Sequence, residues 1–414
     1  MNKILKQHRS LLLRIIFIAG MGILLLVGCG SQVQEALPTA TELPPTETII
    51  PLTATPQPTE TSTVTPTAIP TTPLSATVWE QDPFTVVLTY HQFAANYAKR
   101  STSLKVRFTD FESQLIQLYN AGFSLVKFED WLAGNIVVPP GRRPLVLSLD
   151  DLYFNNQIRL DPETGEPIRD CGLGILWRFY KANPEFGYSA ALFVNLGNKL
   201  YGNPDDPDWE MQLAETIAWG IDHNLIPYNH FYTHPQLHIT SPQGILWELE
   251  QNDLYLRELL TMAEREDLIP GLENFIALTY GVWPAVGDEK PMLAYRTPEG
   301  DPVSVVAEID LIYVEKYLPA PYSPQFDRFH LPRHVASPLA IDFLVAQAEK
   351  FPTAQVCDLG EVPDVLFSDP DGMSAFVADA AFQYGCPDGV YVLTDADLLV
   401  RVSAGQGEEI SLGE

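Results

Sequence analysis

"RPLVLSLDDLYFNN" (residues 143–156) starts as an apolar run and ends in two adjacent carboxylates, Asp150 and Asp151. Pro144 to Leu149 has the length and composition of a fully buried β-strand, which sets both acids at its C-terminal end. If the strand continued through them, their side chains would point to opposite sides and meet different surroundings. "FTVVLTYHQF" (84–93) repeats the pattern and delivers Tyr90 and His91 at a strand end. "FSLVKF" (123–128), "GYSAALFVNLG" (187–197), "NFIALTYG" (274–281) and "FHLPRHVA" (329–336) read as further strands. Helices are expected between them. In "TDFESQLIQLYNAG", Thr109 and Glu112 have capping-box spacing, Phe111, Leu115 and Leu118 share a face, and Gly122 ends the helix. "CGLGILWRFYKAN" (171–183), "DWEMQLAETIAWGID" (208–222) and "SPQGILWELEQNDLYLRELLTMAERE" (241–266), with Ser241 as its cap, are also read as helices. Strands alternating with helices predict an α/β fold whose parallel sheet is open or closed into a (β/α) barrel. In either form, ligands meet side chains at the C-terminal ends of the strands.

"YNHFYTHPQLH" (228–238) holds three of the eight histidines of the chain. His230 and His234 are four apart, so on one helical turn both imidazoles would face one metal ion. A carboxylate from another strand end would complete a two-histidine, one-carboxylate site with room for water and substrate. The same spacing also suits a hydrogen-bonded surface pair, and "DD" alone also suits a cap on the following segment.

The 414 residues carry a formal charge of -28, from 25 Lys+Arg and 53 Asp+Glu. Such a surface repels phosphates and speaks against nucleic acid, while a neutral or cationic partner is easily accommodated. Acidity also serves solubility. There is no phosphate-cradling glycine loop, no "GxSxG" and no "CxxC", so nucleotide binding, serine hydrolysis and thiol redox chemistry lack support.

Residues 1–28 stand apart: Lys3, Lys6, Arg9 and Arg14 precede "IIFIAGMGILLLVG", and no acid occurs before Glu35. That is the pattern of a signal peptide, with an apolar run short of the roughly 20 residues a membrane span needs. It ends in "LVGC", which resembles the lipobox of bacterial lipoproteins. The resemblance implies cleavage before Cys29, lipidation of its thiol and a membrane tether at the cell surface. From Pro38 to Pro73, 9 prolines and 13 threonines fill 22 of 36 positions, so residues 29–82 read as an extended spacer. The folded body is expected from residue 83. Export permits disulfides among Cys171, Cys357 and Cys386, and Cys357 with Cys386 is the expected pair because both lie in the C-terminal segment.

Taken together, "LVLSLDDLYF" resembles the "TFDDGY" motif of polysaccharide deacetylases, the NodB-like carbohydrate esterase family 4, and "NHFYTHPQL" resembles their "NHTxxHPxL" motif. "FESQLIQLYNAGFSLVKFEDWL" and "YSAALFVNLG" are similar to the segments around those motifs. The likeness covers roughly residues 84–340 and is greatest to the circularly permuted exopolysaccharide deacetylases, in which a "YHxx" strand comes first. It implies a distorted (β/α) barrel that removes N-acetyl groups from a polysaccharide. Asp151, His230 and His234 would ligate a divalent metal, zinc above all. Asp150 would be the base, His91 the acid and Arg333, in "HLPRHVA", a cation beside the base. Tyr280 in "LTYGVWP" (278–284) falls in the segment matching the family's "YPYG", which implies a substrate contact there, and Trp283 beside it is a second candidate for substrate contact.

Leu152 stands where the motif has glycine, and its Cβ would narrow the approach to the two acids. His223, His238, His330 and His334 are read as packed or loop histidines. The catalytic domain is expected over 83–345, with 346–414 as a C-terminal extension or small accessory module; from Leu339 onward the sequence reads as a helix, "LAIDFLVAQAEKF" (339–351), then turn-rich chain and terminal strands in "GVYVLTDADLLVRV" (389–402). Two other readings fit the same residues: a metal-dependent hydrolase of another amide or ester, and a glycan-binding surface lipoprotein without catalysis.

Overall fold

The computed structural model describes residues 69–96, 98–153, 156–198, 206–310 and 317–412. The expected signal segment, Cys29 and the spacer up to residue 68 lie outside the described residues. The chain begins with β1 (Thr71–Trp79), β2 (Val87–Tyr90), α1 (Phe108–Asn120), β3 (Phe123–Leu125) and β4 (Arg143–Asp150). It continues through α2 (Gly172–Ala182), β5 (Ala190–Val194), α3 (Trp209–Asp222), β6 (Leu225–Asn229), α4 (Pro242–Met262) and β7 (Phe275–Ala277). Then come β8 (Val305–Asp310), β9 (Leu331–Val335) and α5 (Pro338–Ala346). The last elements are β10 (Gln355–Pro363), α6 (Pro370–Tyr384), β11 (Gly389–Leu393), β12 (Leu398–Ser403) and β13 (Gln406–Glu409).

Seven parallel strands close into a barrel in the order β2-β9-β8-β7-β6-β5-β4, with β4 pairing back onto β2. β3 adds to the first residues of β4, so one edge of β4 serves two neighbours in turn. Paired residues of parallel strands share a face, and Val87 pairs with Val146, Phe193 with Tyr228, and Ile309 with Arg333. Val87, Val146, Ala191, Phe193, Tyr228, Ala277 and Leu331 fill the lumen as one buried cluster. The alternate residues, Leu88, Leu147, Leu192 and Leu225 among them, face outward and pack with Phe111, Leu115 and Leu118 of α1. Burial on both faces explains why the strands read as unbroken apolar runs.

Ser241 caps α4 as expected, its Oγ accepting from the Gly244 N–H at 3.2 Å. The capping box of α1 does not form. A short strand, Lys105–Arg107, runs straight into the helix, Arg107 occupies the cap position, and the Asn96 side chain receives the Thr109 N–H.

The C-terminal segment is a five-stranded antiparallel sheet in the order β10-β1-β11-β12-β13. β1 comes from residues expected to belong to the spacer. The folded chain therefore begins before residue 83, and β1 joins a sheet otherwise built some 280 residues later. One face of this sheet packs against α6 through Leu74, Ala76, Val78, Tyr391 and Val400. The other face, with Trp79, Val390, Val392 and Leu399, joins the cluster that contains the first lumen residues of the barrel strands. Trp79 is fully buried and donates its indole N–H to the Ile136 carbonyl at 2.9 Å. The sheet thus seals the N-terminal end of the barrel and leaves the opposite end for the site. Cys357 and Cys386 are joined as expected, while Cys171 is free and buried and caps α2 through Gly174 N–H.

Candidate active site

Asp150, the last residue of β4, points into the lumen and is fully buried. Arg333 on β9, also fully buried, meets it with both terminal nitrogens: Nη1 to Oδ1 at 2.5 Å and Nη2 to Oδ2 at 3.1 Å. The guanidinium lies 4.5 Å over the Phe193 ring. Burial alone would raise the Asp150 carboxyl, but Arg333, with His230 and His91, outweighs it and holds the group at about 2. This is the cation beside Asp150 that the sequence resemblance implied.

The strand ends there because Asp151 and Leu152 take left-handed backbone conformations, with φ of 73° and 33°. The turn swings the Asp151 carboxylate toward β6. Its Oδ1 lies 3.7 Å from His230 Nε2 and 3.3 Å from His234 Nε2, and it accepts from Asn195 Nδ2 at 2.9 Å. Burial, then the Asp150 charge, raise the Asp151 carboxyl to about 6.

His230 directly follows β6 and is 1 % exposed. Its Nδ1 lies 2.9 Å from the Ala277 carbonyl, which can only accept, so Nδ1 carries the proton and Nε2 offers a lone pair toward Asp151. Burial lowers the imidazole to about 3 and keeps it neutral, as a metal ligand must be. His234 does not share a helical turn with it. The segment is a loop with left-handed Phe231 (φ 61°) and His234 (φ 58°), and this loop brings the rings 5.0 Å apart. Glu248 on α4 holds the loop, accepting from Thr233 N–H at 2.6 Å and from its hydroxyl at 2.5 Å.

Three donor atoms, one each from Asp151, His230 and His234, lie within 4.8 Å of one another. A carboxylate and two imidazoles, one of them locked in the ligating tautomer, suit zinc and related divalent cations. The set fits the expected metal. His91, just past the end of β2, places Nε2 3.9 Å from Asp150 Oδ2, while its Nδ1 is buried without a hydrogen-bond partner among the described residues. Tyr280 (φ 57°) is more than half exposed and sets its ring 4.5 Å from that of His234. Trp283 packs elsewhere: it donates to Glu308 on β8 at 2.5 Å and lies 4.8 Å from the His330 ring. Since Ile309 faces the lumen with Arg333, Glu308 points outward, and Trp283 sits against the outer wall.

No family model and no curated protein matches the sequence. Among solved structures, the chain is similar to the Streptococcus pyogenes deacetylase PplD in complex with acetate, with 15% identity, 64% of this chain and 98% of that one covered, and a TM-score of 0.42. It is similar to the Bacillus cereus polysaccharide deacetylase BC0361 at 15% identity, over 64% of this chain and 69% of that one, with a TM-score of 0.43. IcaB from Ammonifex degensii is similar at 19% identity, over 65% of this chain and 98% of that one, with a TM-score of 0.36. Similarity at this level assigns no role to any residue here.

Asn195, Glu248 and Gln157 escaped the sequence reading. They carry no motif: Asn195 and Gln157 work through hydrogen bonds to residues at strand ends and Glu248 through bonds to Thr233 in the histidine loop, and spacing along the chain gives no signal of that.

Proposed function

We propose that this chain is a metal-dependent hydrolase that removes N-acetyl groups from an N-acetylated glycan. The observation that carries the reading is the Asp150–Arg333 pair standing beside the Asp151, His230 and His234 donors at one end of the barrel. Asp151, His230 and His234 would hold the cation. A bound divalent ion would polarise the acetamide carbonyl and make a water acidic enough to react at neutral pH. Asp150, kept ionised by Arg333, would accept the proton of the attacking water. His91, whose Nε2 lies 3.9 Å from Asp150 Oδ2, would protonate the departing amine as the C–N bond breaks and acetate forms. Tyr280, exposed beside His234, would form part of the sugar-binding rim.

Zinc is the proposed ion, on the strength of the donor set. We also infer from "LVGC" that lipidated Cys29 tethers the mature protein to the outer face of the membrane, with the Thr/Pro-rich segment as spacer. Acetate release from N-acetylglucosamine oligomers tests the activity. Wild type should release acetate, a chelator should abolish release and zinc should restore it, and Asp150→Asn should lose at least about 100-fold in kcat. Release by Asp150→Asn at the wild-type rate would refute the assignment of the base.

A further inference from the structure

The turn after β4 poses a physical problem. Asp151 and Leu152 are successive non-glycine residues at positive φ, 73° and 33°. Aspartate tolerates this region, but leucine does not, because its Cβ crowds the neighbouring carbonyl. Such a turn persists only where its surroundings over-determine it. Leu152 is 1 % exposed within the core, and the Asp151 N–H bonds the Phe193 carbonyl at 3.0 Å, but neither contact reaches the far side of the turn.

Gln157 does. Its side chain is buried, and Nε2 donates to the His91 carbonyl at 2.7 Å and to the Asp150 carbonyl at 2.6 Å, while Oε1 accepts from the Tyr153 N–H at 2.9 Å. Both carbonyls can only accept and the N–H can only donate, so the orientation of the amide is unambiguous. The ladder between β2 and β4 ends at the pair Tyr90 and Leu149. One residue further on each strand stand His91 and Asp150, and the amide of Gln157 joins their carbonyls as an extra rung. Its third bond closes the turn from the other side. The backbone of Gln157 is itself fixed, its N–H on the Tyr153 carbonyl at 2.7 Å and its carbonyl on the Leu173 N–H, at the start of α2, at 2.8 Å.

We propose that Gln157 is a positioning residue that holds the strand ends bearing His91 and Asp150 together and pins the left-handed Asp151–Leu152 turn, so that a leucine occupies a position whose backbone favours glycine. Its consequence for ligand geometry rests on the metal reading above; its role in the turn does not. Gln157→Met keeps the size of the side chain and removes all three bonds. Gln157→Glu keeps an acceptor for Tyr153 and removes the donors to His91 and Asp150.

The test uses the full chain and two readouts. In metal-free protein, amide exchange at Tyr153 should speed up by at least about tenfold in Gln157→Met and change little in Gln157→Glu. Zinc affinity, measured by competition with a chromogenic chelator, should weaken by roughly 10–100-fold in Gln157→Met. Gln157→Met/Leu152→Gly should recover several-fold of that loss, because glycine removes the bias against the turn. If the wild type is active, kcat should fall in Gln157→Met with KM held within about twofold. Unchanged Tyr153 exchange, or unchanged zinc affinity, in Gln157→Met would overturn the proposal. Should Gln157→Met fail to fold, Gln157→Glu decides it: wild-type zinc affinity in that variant would show that the rung between His91 and Asp150 positions nothing. A wild type that binds no zinc would refute the metal reading, and Tyr153 exchange would still decide what Gln157 does for the turn.

Discussion

Replacing Arg333 by methionine would leave a carboxylate sealed in the barrel without its counter-ion. Both partners are fully buried, and two hydrogen bonds join them. His91 and His230 place Nε2 3.9 and 3.8 Å from Asp150 Oδ2, but burial holds His230 neutral, so that ring offsets little of the lost charge. Removing one member of a buried pair costs about 3–5 kcal/mol, because the other remains desolvated and unpaired. Arg333→Met should therefore lose about that much stability, and Asp150→Asn, which strands the guanidinium instead, a similar amount. The double variant Arg333→Met/Asp150→Asn removes both charges and should lose only about 1–2 kcal/mol, giving a coupling of at least about 4 kcal/mol. Urea unfolding of the metal-free chain, followed by tryptophan fluorescence, measures this as midpoint shifts at constant slope. A loss below about 1 kcal/mol for Arg333→Met, or additive single effects, would refute the reasoning.

Three further outcomes are expected. Asn195→Leu removes the 2.9 Å bond that orients Asp151, so zinc affinity, read by chelator competition, should weaken by about 10–100-fold while the unfolding midpoint shifts little. Trp79→Ala empties the fully buried contact between the C-terminal sheet and the base of the barrel, and should cost about 3–5 kcal/mol by urea unfolding. The Cys357–Cys386 bridge spans a sequence separation of 29 residues, so Cys357→Ala/Cys386→Ala should lose about 3–4 kcal/mol by loop-closure entropy, measured under non-reducing conditions.

Much of the site was legible because strand ends announce themselves. The apolar runs into Asp150 and Asp151 and into His91 mark the C-terminal end of one barrel, whereas the histidine pair stood out by its spacing alone, since β6, the strand ending just before His230, was not read as one. The local path of the chain was not. The four-residue spacing of His230 and His234 suggested a helical turn, yet Glu248, 14 residues beyond His234 on α4, holds a loop with two left-handed residues. Thr109 and Glu112 had the letters of a capping box, but the strand leading into α1 consumed the cap position. β1 was hidden by composition: "TTPLSATVW" continues the Thr/Pro pattern of the spacer. Pro73 is tolerated because β1 pairs with β11 only over Thr77–Trp79, so at Pro73 the strand has β10 alone as neighbour. Strand β8, "VVAEID", and helix α6 were likewise not recognised as elements. Gln157 shows the general limit, since its three bonds join residues 4, 7 and 66 positions away.

The central claim is that Asp151, His230 and His234 hold one metal ion. Anomalous scattering at the zinc edge, from crystals of the zinc-loaded protein, tests it most directly. The account predicts a single peak about 2.0–2.2 Å from an Asp151 carboxylate oxygen and from Nε2 of both histidines. A peak placed elsewhere, or none at saturating zinc, would contradict it.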